Sequence, residues 1–549
     1  MRFFFSAATA LLAAASTAHA AFFKHIGMEI GPIDDHIETL NKRAEVEGTS
    51  GYGTFDQLID HNTPELGTFK QRFWYGFQHW KGPGSPIILV NPGEQAADGF
   101  NKSYLTDQRL AGWMAKDMGA AVVIMEHRYW GESSPYDQLT VKNLQYLTLQ
   151  NSLNDINYFA EHIQLPFDKT NGSKPANAPW IFTGGSYSGA LAGWLEALYP
   201  GTFWAYHGTS GVVESVGHFW TYFVPVQEAT PQNCSRDLSA VIDYVDSVLL
   251  FGTKKAKHDL KAKFKLQDLT DADFASAIEN GPWTWQSTQF YSEKTTGYTP
   301  YYRFCDYVEN VWPNSTNKVP GPQGVGIKRA LDGYAKWFVE ESLPGTCESM
   351  GYAGFEGKDN VLCFQNQNAS NPIFHDLSVG NYYNRQWNWF LCNEPFEWWQ
   401  DGAPLDRPSI VSRLVDADYW RKQCPLWFPA DKGHGAPSYG IKQGKRAEDV
   451  NKYTGGWKHT NGTRIMQANG SLDPWRDVTL SSKFRPGGPF KGNKNHQVRV
   501  IEGGTHCSDF YGPNWSANEG VKKIAEEEVA QMGEWVKDFY KVKGITRPQ

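Results

Sequence analysis

The sequence predicts an α/β fold in which buried parallel strands are covered by helices on both faces and interrupted by a long helical insertion. Three observations predict it. Six short apolar runs read as buried strands: Ile87 to Val90, Ala121 to Met125, Trp180 to Phe182, Phe203 to Tyr206, Arg464 to Gln467 and Val498 to Ile501. Helical patterns lie among them, at Asn151 to Ile163, at Ser188 to Leu198, and near the end, where Val521, Ile524, Ala525, Val529, Met532, Val536 and Phe539 keep one apolar stripe. From about Gly217 to Thr454 the chain is helix-like, aromatic and cysteine-bearing, and strand signals resume only at Arg464.

The chain divides accordingly. Met1-Arg2, an apolar run from Phe3 to Ala15 and the small-x-small pattern Ala18-His19-Ala20 predict a signal peptide over 1–20. A first core segment follows over 21–216, an inserted cap over 217–454 and a second core segment over 455–549. The 549 residues, 40% hydrophobic and 20% charged, suit a folded globular protein. A net charge of −7 with no basic block argues against nucleic acid, and no later segment is apolar enough to span a membrane. The run Glu526 to Glu528 reads as a solvated helix face. Secretion is the expected route, with a vacuolar or lysosome-like compartment as the alternative.

That route predicts glycans and disulfides. Of eight N-x-Ser/Thr sequons, Asn101, Asn171, Asn233, Asn314, Asn368, Asn461 and Asn514 are expected acceptors. The eighth, Asn469, lies too close to Asp473 for a glycan. Seven cysteines with no C-x-x-C pair predict up to three disulfides and one spare thiol, and disfavour zinc ribbons. The segment Pro320 to Gly326 is glycine-rich but lacks the lysine of a phosphate loop. No metal or cofactor is expected.

The chemistry centres on WIFTGGSYSGALAGW, Trp180 to Trp194. A buried strand ends in Gly184-Gly185, Ser186 follows, and a small-residue helix begins. This is the layout of an α/β-hydrolase nucleophile turn, with Ser188 where the strict motif has its second glycine. Serine needs a base to take its proton, and in such folds the acid and the histidine follow the serine in chain order. Asp473 lies just past the strand candidate at 464–467. His506, in GGTHC, lies just past the one at 498–501. His61 and His127 precede Ser186, and His496 precedes its strand; Asp509 reads as a loop or helix cap. The oxyanion donors are expected from the backbone N–H of Tyr187 and from Gly93 or Glu94 in the loop after Ile87 to Val90, since Pro92 has none.

These motifs, with FDQLIDHN and GTFKQRFW (within 55–74), PGSPIILVNPGE (83–94), EHRYWGESSPY (126–136), LQYLTLQNSLNDINYF (144–159), RQWNWFLCNEPFEWWQDGAP (385–404), NGSLDPWRD (469–477) and GGTHCSDFYGPNW (503–515), resemble the Pro-X carboxypeptidase and dipeptidyl peptidase II family of serine peptidases. The likeness is strongest to its secreted fungal branch, the acid prolyl endopeptidases. It implies an α/β-hydrolase core with a largely helical cap inserted between nucleophile and acid, a Ser186–Asp473–His506 triad, and cleavage after proline or alanine. The implied partners are proline-containing peptides or proteins. Internal cleavage is favoured, with exopeptidase action as the near alternative and esterase action as the remote one. Trp389 and Trp475, then Trp387, Trp398 and Trp399, are candidates to stack on a proline ring, which offers no N–H. Glu94 and Glu394 are candidates for a substrate ammonium, or else buried structural acids. Acid operation, also implied, leads to the expectation that burial keeps His506 neutral.

Overall fold

The structure, a computed structural model, describes residues 48–98, 103–293, 299–430 and 438–549. The expected signal peptide and Asn101 lie outside the described residues. Eight strands form one sheet: β1 (Ser50–Leu58), β2 (Thr68–Gly76), β3 (Ile87–Val90), β4 (Ala121–Met125), β5 (Trp180–Gly185), β6 (Ala205–Thr209), β7 (Ile465–Gly470) and β8 (His496–Ile501). Their order is β1-β2-β4-β3-β5-β6-β7-β8. β2 runs antiparallel to β1 and β4, and the pairs from β4 to β8 are parallel. This order, with β2 reversed and a sharp strand-turn-helix corner after β5, is that of an α/β-hydrolase.

The apolar runs of the central strands reflect burial on both faces. Ile87, Leu89, Val123 and Phe182 point into one core, and Ile88, Val90, Val122 and Ile181 into the other. The first is covered by α2 (Leu149–His162) and α3 (Tyr187–Leu198), the second by α1 (Leu110–Met118) and α6 (Glu519–Lys543). The α6 stripe buries Val521, Ala525, Val529, Met532, Val536 and Phe539. Glu528 departs from the expected solvated face: it is fully buried, on the side of α6 turned to the sheet.

The α/β-hydrolase core carries a largely helical cap between β6 and β7. It includes α4 (Gln232–Phe251) and α5 (Arg385–Asn393). Three disulfides brace it, Cys234–Cys305, Cys347–Cys363 and Cys392–Cys424, and Cys507 is a buried free thiol in the core. Among the described residues no helix is long and apolar enough to cross a membrane.

The sequons separate by exposure. Asn171, Asn314, Asn368 and Asn461 are exposed and Asn233 is half-buried. Asn514 corrects the expectation: it is fully buried, and its Nδ2 donates to Gln289 Oε1 at 2.7 Å and Ser508 O at 2.8 Å, so no glycan fits there. Asn469 is buried as well.

Candidate active site

The turn between β5 and α3 holds Ser186 at φ +60° and ψ −125°, a backbone region that a residue with a side chain occupies only under constraint. The constraint is visible. Ser186 N–H donates to Thr209 O on β6 at 2.9 Å, and Ser186 O accepts from Ala190 N at 3.0 Å as α3 begins. The close approach of helix to sheet falls on Gly189. A Cβ there would sit 2.6 Å from Thr209 O and 3.0 Å from Gly211 Cα. The glycine displaced by one place from the strict motif thus meets the steric need, and Ser188 in the motif's position is tolerated.

The β7 and β8 turns bring the two expected partners to this hydroxyl. His506 Nε2 lies 2.8 Å from Ser186 Oγ. Its Nδ1 lies 2.9 Å from Asp473 Oδ1 and 3.1 Å from Oδ2. Asp473 Oδ1 also accepts the Trp475 backbone N–H at 2.9 Å, and all three side chains are buried. Burial alone would lower the His506 pKa, but the Asp473 carboxylate outweighs it and holds it well above the ordinary value. The expectation that burial keeps His506 neutral is therefore wrong: the imidazole is paired as deeply as it is desolvated.

The loop after β3 lies over this turn. A Cβ on Gly93 would be 3.7 Å from Ser188 Cβ and 3.9 Å from Tyr187 Cδ1. Gly93 N–H, however, donates to Asn91 Oδ1 at 2.9 Å, and Asn91 Nδ2 donates to Met125 O at 3.1 Å. Gly93 is thus engaged in shaping the loop, which leaves Tyr187 and Glu94 as the expected oxyanion donors.

The five tryptophans divide into two groups. Trp387, Trp398, Trp399 and Trp475 line one cavity with Leu391, Gln400 and Trp420. The Trp475 ring centre lies 6.3 Å from that of His506 and 6.1 Å from that of Trp398. Trp398 follows Glu397 through two successive positive-φ residues (+57° and +47°), pinned by Trp398 N–H to Val216 O at 2.9 Å and by the Arg421–Glu397 ion pair at 2.6 Å. Trp389 is a correction. It faces the other side of α5, its ring edge-on to Phe428 and its indole N–H on Leu147 O at 3.0 Å, so it supports the cap and does not line the cavity.

The two candidate acids also differ. Glu394 receives Asn393 Nδ2 at 2.9 Å and the Leu149 N–H at the start of α2. Burial raises its pKa, and its bonds are those of a structural acid. Glu94 is buried in the loop beside Tyr187, its carbonyl accepting Asn384 Nδ2 at 2.9 Å. Among the rival histidines, His127 is buried with Nε2 on Tyr187 Oη at 3.2 Å, and burial lowers it to about 4.

One group of site residues carried no sequence signal. The cap segment 285–289 grips the turns bearing Asp473 and His506: Trp285 donates its indole N–H to Leu472 O at 2.8 Å, Gln286 Oε1 accepts from the Trp475 indole at 3.0 Å, and Gln289 Nε2 donates to His506 O at 2.8 Å. These residues sit in no motif, and only the folded cap brings them to the core.

Residues 57–527 match the model of the family described as serine carboxypeptidase S28. The chain belongs to that family. It is 41% identical over 503 residues to the serine protease vicPa of Bipolaris victoriae, covering 91% of each chain. It is 28% identical over 492 residues to a probable extracellular serine carboxypeptidase of Arthroderma benhamiae, covering 85% of this chain and 64% of that one. A thymus-specific serine protease of Mus musculus is 24% identical, with 89% and 88% covered. This S28 chain is accordingly a serine peptidase, and the peptide bond is the target against which its site is read.

Proposed function

We propose that this S28 peptidase is secreted and hydrolyses peptide bonds on the carboxyl side of proline within peptide chains. Ser186 is the nucleophile, His506 its base and Asp473 the acid that orients the base. The 2.8 Å contact of His506 Nε2 with Ser186 Oγ, with Asp473 on the opposite ring nitrogen, is the observation that carries this reading.

His506 Nε2 takes the Ser186 proton as Oγ attacks the scissile carbonyl. Asp473 on Nδ1 fixes the tautomer that leaves Nε2 free to accept, then stabilises the imidazolium. The tetrahedral oxyanion is held by the N–H groups of Tyr187 and Glu94, each donor contributing about 3–4 kcal/mol to the transition state. His506 returns the proton to the leaving amine, and a water repeats the sequence on the acyl-enzyme. The apolar rings of Trp387, Trp398 and Trp475, the last beside His506, are the surfaces we assign to the pyrrolidine, which has no N–H to satisfy; the cavity between them is only about 10 Å³, so these rings must part to admit it. Secretion agrees with three disulfides and with the exposed sequons Asn171, Asn314, Asn368 and Asn461, which we assign as glycan acceptors with Asn233.

A second reading, removal of C-terminal residues, is favoured by the name of the Arthroderma benhamiae relative. Digestion of a peptide mixture containing free and blocked termini separates the two. Internal cuts after proline in doubly blocked peptides are expected, and they vanish in Ser186→Ala. Cuts confined to free C-terminal residues would support the second reading, and cuts without regard to proline would refute the specificity.

A further inference from the structure

Away from Ser186, three ionisable side chains converge between the sheet and α6. His207 stands on β6, Asp509 in the turn three residues past His506, and Glu528 on the buried side of α6; all three are fully buried. Each offers one atom to a common centre, these atoms all lying within 4.8 Å of one another. Their outer contacts select the atoms. His207 Nδ1 lies 2.9 Å from Thr183 Oγ1, and Asp509 Oδ1 accepts from the Thr209 hydroxyl. His207 Nε2, Asp509 Oδ2 and both Glu528 oxygens have no hydrogen-bond partner among the described residues.

Two buried carboxyl groups meet a single imidazole here, so when both are ionised even a protonated His207 leaves the group one positive charge short, which is strongly destabilising in a dry interior. A cation among them resolves this. We propose that His207, Asp509 and Glu528 bind one divalent transition-metal ion, zinc being the ion that suits one imidazole and two carboxylates in a tetrahedral site. The spacing fits. Two ligand atoms each about 2.0–2.1 Å from zinc at the tetrahedral angle are about 3.3–3.4 Å apart, and His207 Nε2 lies 3.3 Å from Glu528 Oε1. The outer contacts fit as well. An Nδ1–H donated to Thr183 leaves Nε2 with its lone pair toward the ion, and Thr209 orients the Asp509 carboxylate. Glu528 fills the coordination sphere with its second oxygen.

The ion touches no substrate, and its role is structural. It joins β6, whose Thr209 carbonyl holds the Ser186 N–H, to the turn that follows His506 and to α6. Sequence gave no hint of it, because the three ligands are spread over most of the chain with no metal-binding spacing.

The test is the metal content of the full-length secreted protein, purified through a chelator wash, unfolded in guanidinium and read by elemental mass spectrometry. About one equivalent of a divalent transition metal per chain is expected, falling at least tenfold in His207→Gln and in Glu528→Gln. Wild type refolded without metal should melt lower and regain its Tm on addition of zinc alone. Wild type that carries no stoichiometric metal and melts unchanged with added zinc overturns the site, the cluster then being held by protons on its carboxyls. Metal retained in full by folded variants overturns it equally. Should the variants fail to fold, the wild-type measurement decides.

Discussion

At the scale of single residues, the reactivity of Ser186 depends on what lies on the far side of His506. In the proposed mechanism Asp473 does two things at once: it selects the tautomer that can accept the Ser186 proton, and it raises the imidazole pKa against the opposing effect of burial. Asp473→Asn should therefore lower kcat by about 10⁴-fold. It should also move the acidic limb of the remaining kcat/KM profile to lower pH, because the charge that favours the imidazolium is gone. A drop in rate with an unmoved limb would mean that Asp473 acts by position alone. The residue scale is also where sequence reading served best. Ser186, Asp473 and His506 each follow a strand, in the order the fold demands, and strand ends are legible from apolar runs. Trp389 and Asn514 were misread, because their partners Leu147 and Gln289 are far away in the chain; Gly93 is engaged by a near neighbour, Asn91, whose orientation depends in turn on Met125 O.

At the scale of elements, β3, β4 and β5 were legible because burial on both faces leaves an unbroken apolar run, and α6 because one apolar stripe persists for many turns. β1 and β2 escaped notice. β1, at the edge of the sheet, is SGYGTFDQL with alternating exposure, and β2 carries the buried Gln71 and Arg72, whose polar groups are satisfied by Gln57, Glu126 and Asp98. The cap was visible as a change of texture, but its grip on the core was not. That grip predicts a measurable effect. Gln289→Ala leaves the His506 carbonyl without its buried donor, and Asn514 Nδ2 with only Ser508 O as acceptor, and should destabilise the protein by about 1–3 kcal/mol. The turn bearing His506 is loosened at the same time, so kcat should fall more than KM rises. Chemical denaturation read beside steady-state kinetics checks both, and unchanged values would show that the cap does not position the histidine.

At the scale of the whole molecule, the cap and its base hold buried carboxyls that favour their protons. Burial pushes Glu214, Glu309 and Asp401 up to about 7, with Asp237 adding to the effect on Glu309, and pushes Glu279 well above its ordinary value. Such groups bind more protons folded than unfolded between about pH 4 and pH 7, so the stability they contribute is complete below that window and declines as pH rises through it. Asp155 has the opposite sign. Burial pulls it up, but Arg128 and His61 hold it below the usual value, so its contribution is lost as pH falls below about 4. Histidines buried neutral, His127 among them, lose stability as pH falls below about 6.5, so substitution isolates the carboxyls: Tm should fall less from pH 5 to pH 7 in Asp401→Asn than in wild type, and an equal fall in both would contradict the assignment of this carboxyl. The central claim is that one hydroxyl, activated by one histidine, performs the hydrolysis, and its most direct test is covalent labelling of the protein with a fluorophosphonate followed by peptide mass spectrometry. The adduct is predicted on Ser186, at one per chain and absent from His506→Ala. An adduct on another residue, or full peptide hydrolysis by Ser186→Ala, would contradict the account.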